Sequence, residues 1–487
     1  IKSQLQKDSE EILKRLRHPW FIFFATTLVF FGFSLSYDPF IFDDYFHVFG
    51  NTKVLNSDIS SWLYYLTKSL TPIPFLFWKV VALFSPNGNP FAFRIFNLIF
   101  HSLNTYLVFE LSKMVLKKIG KNENSLPFIA ALFYLLHPVQ VESVVWVSSL
   151  RNLQATFFAL TSILLFIHNE ERNRETHPLI LHFPTFLLFA LGMLCNPSIA
   201  PAIFVGPFLK RFFYQSKGER SLWFLAVLLP FVIGFVFLHK ETTMSSYFAD
   251  ISLWVRIQII FSALTVYFLN IFLPFQISFD YQVNAFVVSY LEEVGQNMAL
   301  ITMGPMLVIT SLALFIQEKT KVYGSFLILF LLLLTPHCGF ILHDFNNISV
   351  VSDRYLNLAL TPLAILFSLV LSQFLDWMEP KFQKLKTTWI IGFIFCGLGF
   401  LTVLQVEKWN DTERLLKSNQ FLTETRPSTL NSLASLYMNH QNYGEARVAY
   451  KAALALDADS PAALLGLLES LFRSPKASEE DFVLHYF

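Results

Sequence analysis

The chain has 487 residues and an almost balanced charge, with 36 Lys and Arg against 35 Asp and Glu, for a net charge of +1. Hydrophobic residues make up 54% and charged residues only 15%, whereas a soluble domain averages about 25% charged residues. With a mean hydropathy of +0.49, this composition predicts an integral membrane protein. The balanced charge argues against nucleic-acid binding, which needs a basic face. The cysteines have neither the spacing of a metal site nor the even number of a disulfide framework; they are Cys195, Cys338 and Cys396.

The first predicted element is a membrane span over 20–36. This stretch is apolar and long enough to cross a bilayer. Lys14, Arg15 and Arg17 precede it, so the positive-inside rule predicts that segment 1–19 is cytoplasmic. The stretch lacks a small-residue cleavage site, which favours a retained anchor over a signal peptide.

Two adjacent acids, Asp43 and Asp44, follow this span in the sequence YDPFIFDDYFHVFGN. The topology predicts that they emerge on the external face. A carboxylate pair held there suits an enzyme that deprotonates a hydroxyl acceptor beside a lipid-linked donor. The same pair could hold a divalent cation, and the sequence implies no other cofactor. The alternative is a solvated acidic pair in an ordinary loop.

The external loop 37–92 is too long for a simple turn. Within it, DISSWLYYLTKSL mixes aromatic and polar residues, which predicts a helix lying in the membrane interface. A mobile loop is the alternative, and Trp62, Tyr64 and Tyr65 argue against it.

Apolar segments of span length recur along the chain, and basic residues lie in the connections between them. If all these connections are cytoplasmic, the positive-inside rule predicts about eleven spans. The apolar segment 253–273 breaks this parity if it crosses, so we expect 239–296 to be an external excursion with interfacial or re-entrant helices. The predicted spans are 20–36, 93–112, 126–145, 152–168, 179–195, 199–213, 221–238, 297–316, 323–342, 356–375 and 388–406.

This topology places the other polar segments on the external face. Charged residues therefore cluster at one face rather than within the spans, which argues against a transporter, whose substrate path would need them inside. The external segments are 37–92, 137–151, 196–201, 239–296, 343–354 and everything after Glu407.

The chain changes character at about Asn410, where charged and helical sequence begins. TLNSLASLYMNHQNYGEARVAYKAALALDADSPAALLGLLESL has the texture of a tetratricopeptide repeat, in which small residues let two helices approach and Pro opens the next unit. The pattern predicts one full unit and the start of another at Pro461. Because about three units are needed for stability, we expect the repeats to continue beyond Phe487 or their helices to lean on neighbours. A generic helical hairpin is the alternative.

Four stretches, in order, resemble the transmembrane-and-tetratricopeptide O-mannosyltransferases and their bacterial relatives. They are IFDDYFHVFGNTKV, NPFAFRIFNLIFHSLN, HPVQVESVVWVSSLRNL and VSDRYLNLALTP. The junction KWNDTERLLKSNQFLTETRPS is also similar to the family's passage from the last span to its repeats. That family belongs to the GT-C glycosyltransferase superfamily, with the protein O-mannosyltransferases and the lipid A aminoarabinose transferases. The resemblance implies a GT-C transmembrane domain over 20–408 and an external tetratricopeptide-like segment over 409–487.

The resemblance also implies roles for single residues. Asp43 and Asp44 match the family's acidic pair, in which one carboxylate is the general base. His137 and Glu142 match its H-P-V-x-x-E segment as supporting residues, and Arg151 matches the basic residue that opens the next span.

Asp353 and Arg354 match the family's acid–Arg pair. The implied chemistry is coherent, because guanidinium forks stabilise a phosphate leaving group and inverting transfer needs one base opposite it. For Arg151 and Arg354 the alternative is a side chain that snorkels to the membrane interface. For His137 it is a structural role at a helix end.

Two positions depart from the family pattern. Thr71 and Asn196 stand where the family tends to have Arg and Lys before Pro. Lys68, Lys79 or Lys240 could replace the lost phosphate-binding cations.

The sequence therefore predicts an all-α polytopic membrane glycosyltransferase. It would move a sugar from a polyprenyl-phosphate carrier to a hydroxyl of a protein or glycan. The expected setting is a bacterial inner membrane with the site on the periplasmic face, among membrane lipids and with a protein partner on the repeats. The runner-up is a non-catalytic scaffold that keeps the transferase fold and recruits partners through its repeats.

Overall fold

The computed structural model describes most of the chain from His18 to Arg473. The described ranges are 18–38, 44–56, 58–121, 123, 125–172, 178–213, 229, 231–235, 253–275, 277–278, 281, 298–340, 350–378, 387–420, 427–458 and 460–473. The predicted cytoplasmic segment before His18 and most of the predicted span 221–238 lie outside them.

The described chain is built from α-helices and short 3-10 or π-helical turns, and it contains no β-strand. This confirms the predicted all-α class. In chain order the α-helices are α1 Pro19–Phe31, α2 Thr52–Leu55, α3 Ile59–Lys68, α4 Pro72–Phe84, α5 Pro90–Lys118, α6 Ser125–Leu136, α7 Val141–Val145, α8 Leu150–Arg172, α9 Pro178–Met193, α10 Val205–Phe213, α11 Leu253–Phe272, α12 Met298–Ile316, α13 Lys321–Leu334, α14 Leu356–Met378, α15 Thr387–Lys408, α16 Thr412–Gln420, α17 Pro427–Asn439, α18 Tyr443–Leu456 and α19 Pro461–Arg473.

Several helices have the length and composition of membrane spans. In the described ranges four segments are long and apolar enough to cross a bilayer, and a fifth is added if α6 and the bent continuation after it form one span. Shorter apolar helices accompany them, so the fold is that of a membrane-embedded protein. The number of eleven spans stays a prediction. The four segments are Pro19–Ser36, Val147–Glu171, Asp353–Met378 and Trp389–Lys408.

The predicted span 126–145 is broken in its middle. Helix α6 ends at Leu136, and the helical segment from Pro138 to Val145 is bent by 54° relative to it. A residue before Pro is disfavoured in helical backbone, and His137 accordingly has an extended conformation with φ −72° and ψ 128°. The break leaves 137–149 as short helical turns ahead of α8.

Helix α5 is the longest of the described helices, and its N-terminus follows the usual capping chemistry. The side chain of Asn89 accepts a hydrogen bond from the Phe91 amide, and Pro90 stands at the first helical position, where it is best tolerated. At about 1.5 Å per residue, its 29 residues exceed the bilayer core of about 30 Å. The helix therefore reaches beyond the predicted span 93–112 at both ends.

The apolar segment 253–273 forms a continuous helix, α11, of 20 residues. One of its faces is buried in the main hydrophobic core through Ile259, Ala263 and Tyr267. It is packed against α12 and is about 30 Å long. This helix, the longest described part of the expected external segment 239–296, therefore has no re-entrant break. Which side of the membrane each connection occupies stays a prediction.

A second, smaller core joins the first loop to the membrane helices. It contains Val54, Tyr65, Trp78, Phe93 and Leu150. The loop's predicted interfacial segment is helical as α3, which Asp58 caps through the Ser61 amide. Its outward side chains include three large apolar ones, which suits the predicted interfacial location: Ile59, Leu63 and Leu66.

The C-terminal helices α17, α18 and α19 pack as consecutive neighbours. Small residues line the contact between them, including Ala434, Ala446 and Ala453, which are fully buried. Gly466 in α19 lies directly against the Tyr450 ring. The helical pattern is thus the predicted one, and its assignment to tetratricopeptide repeats stays an interpretation.

A reporter enzyme fused after Glu407 should read external, and one fused at Lys384 should read cytoplasmic, because the parity argument places α15 between the two faces. Paired phosphatase and fluorescence reporters measure this directly. If both reporters read on the same side of the membrane, the predicted topology is wrong and the polar loops do not all lie on the external face.

Replacing Gly466 with Ala should loosen the C-terminal helices, because the new methyl group would overlap the Tyr450 ring, which is buried and contacts Ser435. Overpacking of this kind costs about 1–3 kcal/mol. Faster limited proteolysis of the tail in the full-length protein would reveal it. Gly444→Ala is the control, since its added methyl group meets nothing within 4 Å, and it should leave the rate unchanged or lower it.

Candidate active site

A polar stripe on α5 organises the region around the break. Arg94, Asn97, His101 and Asn104 recur every three or four residues and are all buried. Their side chains contact backbone carbonyls at the break and in the helices beside it, at Val145 (3.1 Å), Trp146 (2.8 Å), Leu135 (3.1 Å) and Leu153 (3.0 Å), respectively. Carbonyls that leave a helix, such as that of Trp146, need protein partners where water is scarce. The guanidinium of Arg94 also donates to carbonyls at the end of the first span, those of Ser34, Tyr37 and Asp38.

His137 has a structural role at the break. Its Nδ1 accepts a hydrogen bond from the Val139 amide at 3.4 Å, and its Nε2 lies 2.9 Å from the Ile271 carbonyl. These contacts fit a neutral ring with the proton on Nε2. Both ring nitrogens therefore contact the backbone, which is the alternative that the sequence left open for this residue.

The central contact of the site is a buried ion pair between Glu142 and Arg354. The Glu142 carboxylate accepts hydrogen bonds from the Arg354 guanidinium, from the Arg354 amide at 3.1 Å and from the Ser352 hydroxyl at 2.7 Å. Glu142 is 3% exposed and Arg354 is 7% exposed. Because both charges are removed from water, each depends on the other.

Aromatic rings hold the Arg354 guanidinium. Its central carbon lies 4.7 Å from the ring centre of Trp146 and 4.8 Å from that of Tyr355. The Tyr355 ring in turn stacks on His337, with centroids 3.9 Å apart. Cation–π contacts are strongest where water is excluded, so this side chain is held in place before any ligand binds.

The hydrogen-bond partners of Asp353 differ from those of the adjacent Arg354. Its carboxylate accepts hydrogen bonds from Tyr281 at 2.6 Å and from Asn270 at 3.0 Å. Burial, and secondarily the Asp353 charge, raise the pKa of the Tyr281 hydroxyl well above its usual value, so Tyr281 stays a proton donor. The ammonium group of Lys408 donates to the Ile277 carbonyl at 3.1 Å and its charge acts on Asp353. Asp353 therefore ties Tyr281 and the end of α11, through Asn270, to the chain just before α14.

Asp44 is fully buried and contacts the same broken segment. Its Oδ1 accepts a hydrogen bond from the Ser148 amide at 2.7 Å. The residue also lines a narrow crevice with Arg94, Trp146 and Trp409. Asp43 lies outside the described residues.

Arg151 reaches the first loop as well. Its Nη2 lies 3.1 Å from Nδ1 and 3.3 Å from Nε2 of His47, so the guanidinium rests against the imidazole. The His47 ring is nearly parallel to Trp78. Arg151 is also close enough to Tyr355 for its charge to act on that hydroxyl.

The ten residues from Glu142 to Arg151 thus contact every described residue of the predicted site except His137 and Asp353. Glu142 and Trp146 contact Arg354, Ser148 contacts Asp44, and Arg151 contacts His47. Trp146, which contacts Arg354, and Ser148, which binds Asp44, are two residues apart, so one short segment links these two charged residues. Asp353 joins them as the chain neighbour of Arg354, while His137 lies at the far end of the break.

The two departures from the family pattern have local explanations. Asn196 caps a 3-10 helix through the Ser198 amide and donates to Asn152, while Thr71 precedes Pro72 at the start of α4. Lys79 is buried and donates to the carbonyls of Lys53 and Asn56. These contacts give Lys79 a structural role in the first loop. Lys240 lies outside the described residues.

The divalent cation considered for the acidic pair stays a prediction, because Asp43 lies outside the described residues. Among the described residues, no group of three or more His, Cys, Asp or Glu side chains could hold a metal ion. The described member of the pair, Asp44, binds a backbone amide through one carboxylate oxygen.

Several residues of the site were not found by sequence reasoning. Ser352, Asn270 and Lys408 are ordinary polar residues in the sequence, and only the fold brings them to the acids. The stripe on α5 could have been predicted from the sequence, because its polar residues share one helical face within a hydrophobic segment. They are Arg94, Asn97, His101 and Asn104.

Comparison with known proteins finds no matching family model, no similar curated protein and no similar solved structure. The resemblance to the GT-C glycosyltransferases therefore rests on the motifs alone.

Replacing Glu142 with Leu should destabilise the protein by about 3–5 kcal/mol, because it leaves the Arg354 charge buried without its carboxylate. Arg354→Met should do the same to Glu142. The double variant should be more stable than the sum of the two single losses predicts, because no lone charge remains. Thermal unfolding in detergent micelles measures all three. Additive losses would contradict the importance of the pair.

Proposed function

We propose that this protein is a membrane glycosyltransferase of GT-C type that moves a sugar from a polyprenyl-phosphate donor to a hydroxyl acceptor, protein or glycan, on the external face. The observation that supports this best is that one broken helical segment carries the buried Glu142–Arg354 ion pair, binds the buried Asp44 through the Ser148 amide and ends at Arg151. Charged residues are almost never fully buried unless they are paired, so this cluster is a candidate functional site. The apolar helices around them suit a lipid-linked donor.

In this proposal the two arginines bind the donor phosphate. A guanidinium offers a fork of donors that matches phosphate oxygens, and such charge-assisted bonds are roughly twice as strong as neutral ones. Arg354 supports the role because Glu142, Trp146 and Tyr355 fix its orientation. A preoriented donor needs little reorganisation as negative charge develops on the leaving phosphate.

We assign the general base to Asp43 and an anchoring role to Asp44. A base must reach the acceptor proton, whereas Asp44 is buried and receives the Ser148 amide. That contact ties the first loop to the segment that carries Glu142. In the proposal Asp44 therefore positions its neighbour.

The helical tail supports a role in partner binding. Its helices α17–α19 expose apolar side chains, including Val448, Leu465 and Phe472. In the proposal these helices are tetratricopeptide-like and hold a protein partner or the acceptor.

A non-catalytic scaffold is the second candidate. The observation that favours it is that several charged groups already have structural partners, since Arg354 pairs with Glu142 and Lys79 binds backbone carbonyls. A scaffold would keep these contacts for stability and use only the tail.

Replacing Asp43 with Asn should abolish transfer while leaving donor binding nearly intact, because the carboxylate acts on the acceptor proton, so that the loss falls on kcat. Arg151→Ala or Arg354→Ala should instead weaken donor binding, since a fork to phosphate contributes before and during the reaction. Transfer to a panel of hydroxyl acceptors and binding of polyprenyl-phosphate sugars measure the two effects separately.

Asp44→Ala is the matched control for the acidic pair. It should lower stability by about 1–3 kcal/mol by leaving the buried Ser148 amide unsatisfied. If Asp44→Asn loses kcat while Asp43→Asn keeps it, the two roles are reversed. A wild-type protein that transfers no sugar from any polyprenyl-phosphate donor would favour the scaffold.

A further inference from the structure

A histidine of the first loop contacts the arginine at the start of α8. Asp44 accepts a hydrogen bond from the Ser148 amide. Three residues further along each segment, His47 contacts Arg151. Both contacts join residues 104 positions apart. The helical turn that follows Asp44 therefore runs beside the turn that follows Ser148, and the two contacts form one junction between the first loop and α8.

The distances within the second contact show that the guanidinium lies over the face of the imidazole ring. The Arg151 Nη2 atom is 3.1 Å from Nδ1 and 3.3 Å from Nε2 of His47. An atom almost equidistant from both ring nitrogens at this range cannot lie in the ring plane, because carbon atoms of the ring would overlap it. Neither ring nitrogen can therefore direct its in-plane lone pair or N–H at Arg151. The contact is a stacked one, of the kind that guanidinium groups make with aromatic faces.

Aromatic side chains of α4 hold the His47 ring. It lies nearly parallel to Trp78, with the planes at 14° and the centroids 6.4 Å apart, and it contacts Phe75 edge to face at 5.9 Å. Trp78 is fully buried, and Phe75 stacks on Tyr65 with the centroids 4.7 Å apart. The imidazole therefore presents a fixed surface to the guanidinium.

The place of Arg151 in α8 explains why this surface matters. Arg151 is the second residue of that helix, where the positive end of the helix dipole disfavours a cation and attracts an anion. Contacts outside the helix must therefore hold the guanidinium in place. Where it is held, the dipole adds its attraction for a phosphate to that of the guanidinium.

We propose that His47 positions Arg151 for the donor phosphate by stacking its imidazole face against the guanidinium. This inference rests on the proposed function, in which Arg151 binds that phosphate. A long side chain loses rotamer entropy when a ligand orders it, and a neighbour that already orders it reduces that cost. His47 acts through Arg151 and is therefore a positioning residue. It also links the loop that carries the proposed general base to the donor site.

The test measures the binding of geranyl phosphate, a short polyprenyl phosphate, to the full-length protein in lipid nanodiscs by calorimetry. His47→Leu removes the aromatic face and should raise the Kd about fivefold or more, which is the size of a cation–π contact at a partly buried site. His47→Phe keeps a flat face without the ring nitrogens and should stay within about twofold of the wild-type Kd. In an Arg151→Ala background, His47→Leu should change the Kd by less than about twofold, because the side chain through which His47 acts is gone.

Phe49→Leu is the matched control. Phe49 lies in the same helical turn as His47 and packs against Phe93, with the ring centroids 5.4 Å apart. Its replacement should lower the melting temperature and leave the Kd for geranyl phosphate unchanged.

Three results would overturn the inference while the binding of geranyl phosphate still supports the proposed function. The Kd could stay unchanged in His47→Leu, it could rise equally in His47→Phe, or His47→Leu could have its full effect in the Arg151→Ala background. If geranyl phosphate does not bind the wild-type protein, the proposed function and the inference both fail.

Discussion

The site depends on how a broken helix keeps its backbone hydrogen-bonded inside an apolar bundle. Where water is scarce, each carbonyl that leaves a helix must find a donor in the protein. The stripe on α5 supplies these donors, with Arg94 and Asn97 bonding the carbonyls of Val145 and Trp146. Without that stripe the carbonyls after His137 would lack donors inside the protein. The segment could then not leave helical geometry, and its polar side chains would not face the first loop.

The same segment links the parts of the site. Within seven residues, Glu142 and Trp146 contact Arg354 while Ser148 binds Asp44. A movement of this segment would therefore disturb Arg354 and Asp44 together. Charges that are buried and mutually paired contribute less to net stability than to a fixed arrangement, and a fixed arrangement is what a site for a developing charge requires.

Neighbouring residues in the sequence were a poor guide to partners in the site. Asp353 and Arg354 are adjacent and of opposite charge, yet Arg354 pairs with Glu142 while Asp353 bonds Tyr281 and Asn270. Both residues lie in one short 3-10 turn, Asp353–Tyr355, and their side chains point in different directions. The ion pair joins residues 212 positions apart, and no local pattern could have identified it.

The sequence by itself determined the membrane class, the all-helical fold and the positions of most described helices. It could do so because helices in lipid must satisfy their own backbone bonds, which makes apolar runs reliable signals; the break at Pro138, inside the predicted span 126–145, was not predicted. Only the tertiary structure decided that Lys79 binds backbone carbonyls, that His137 is held between backbone groups and that Glu142 pairs with Arg354. The physical reason is that the partner of a buried polar group is set by packing between distant helices, and that packing is not encoded in the spacing of any one segment.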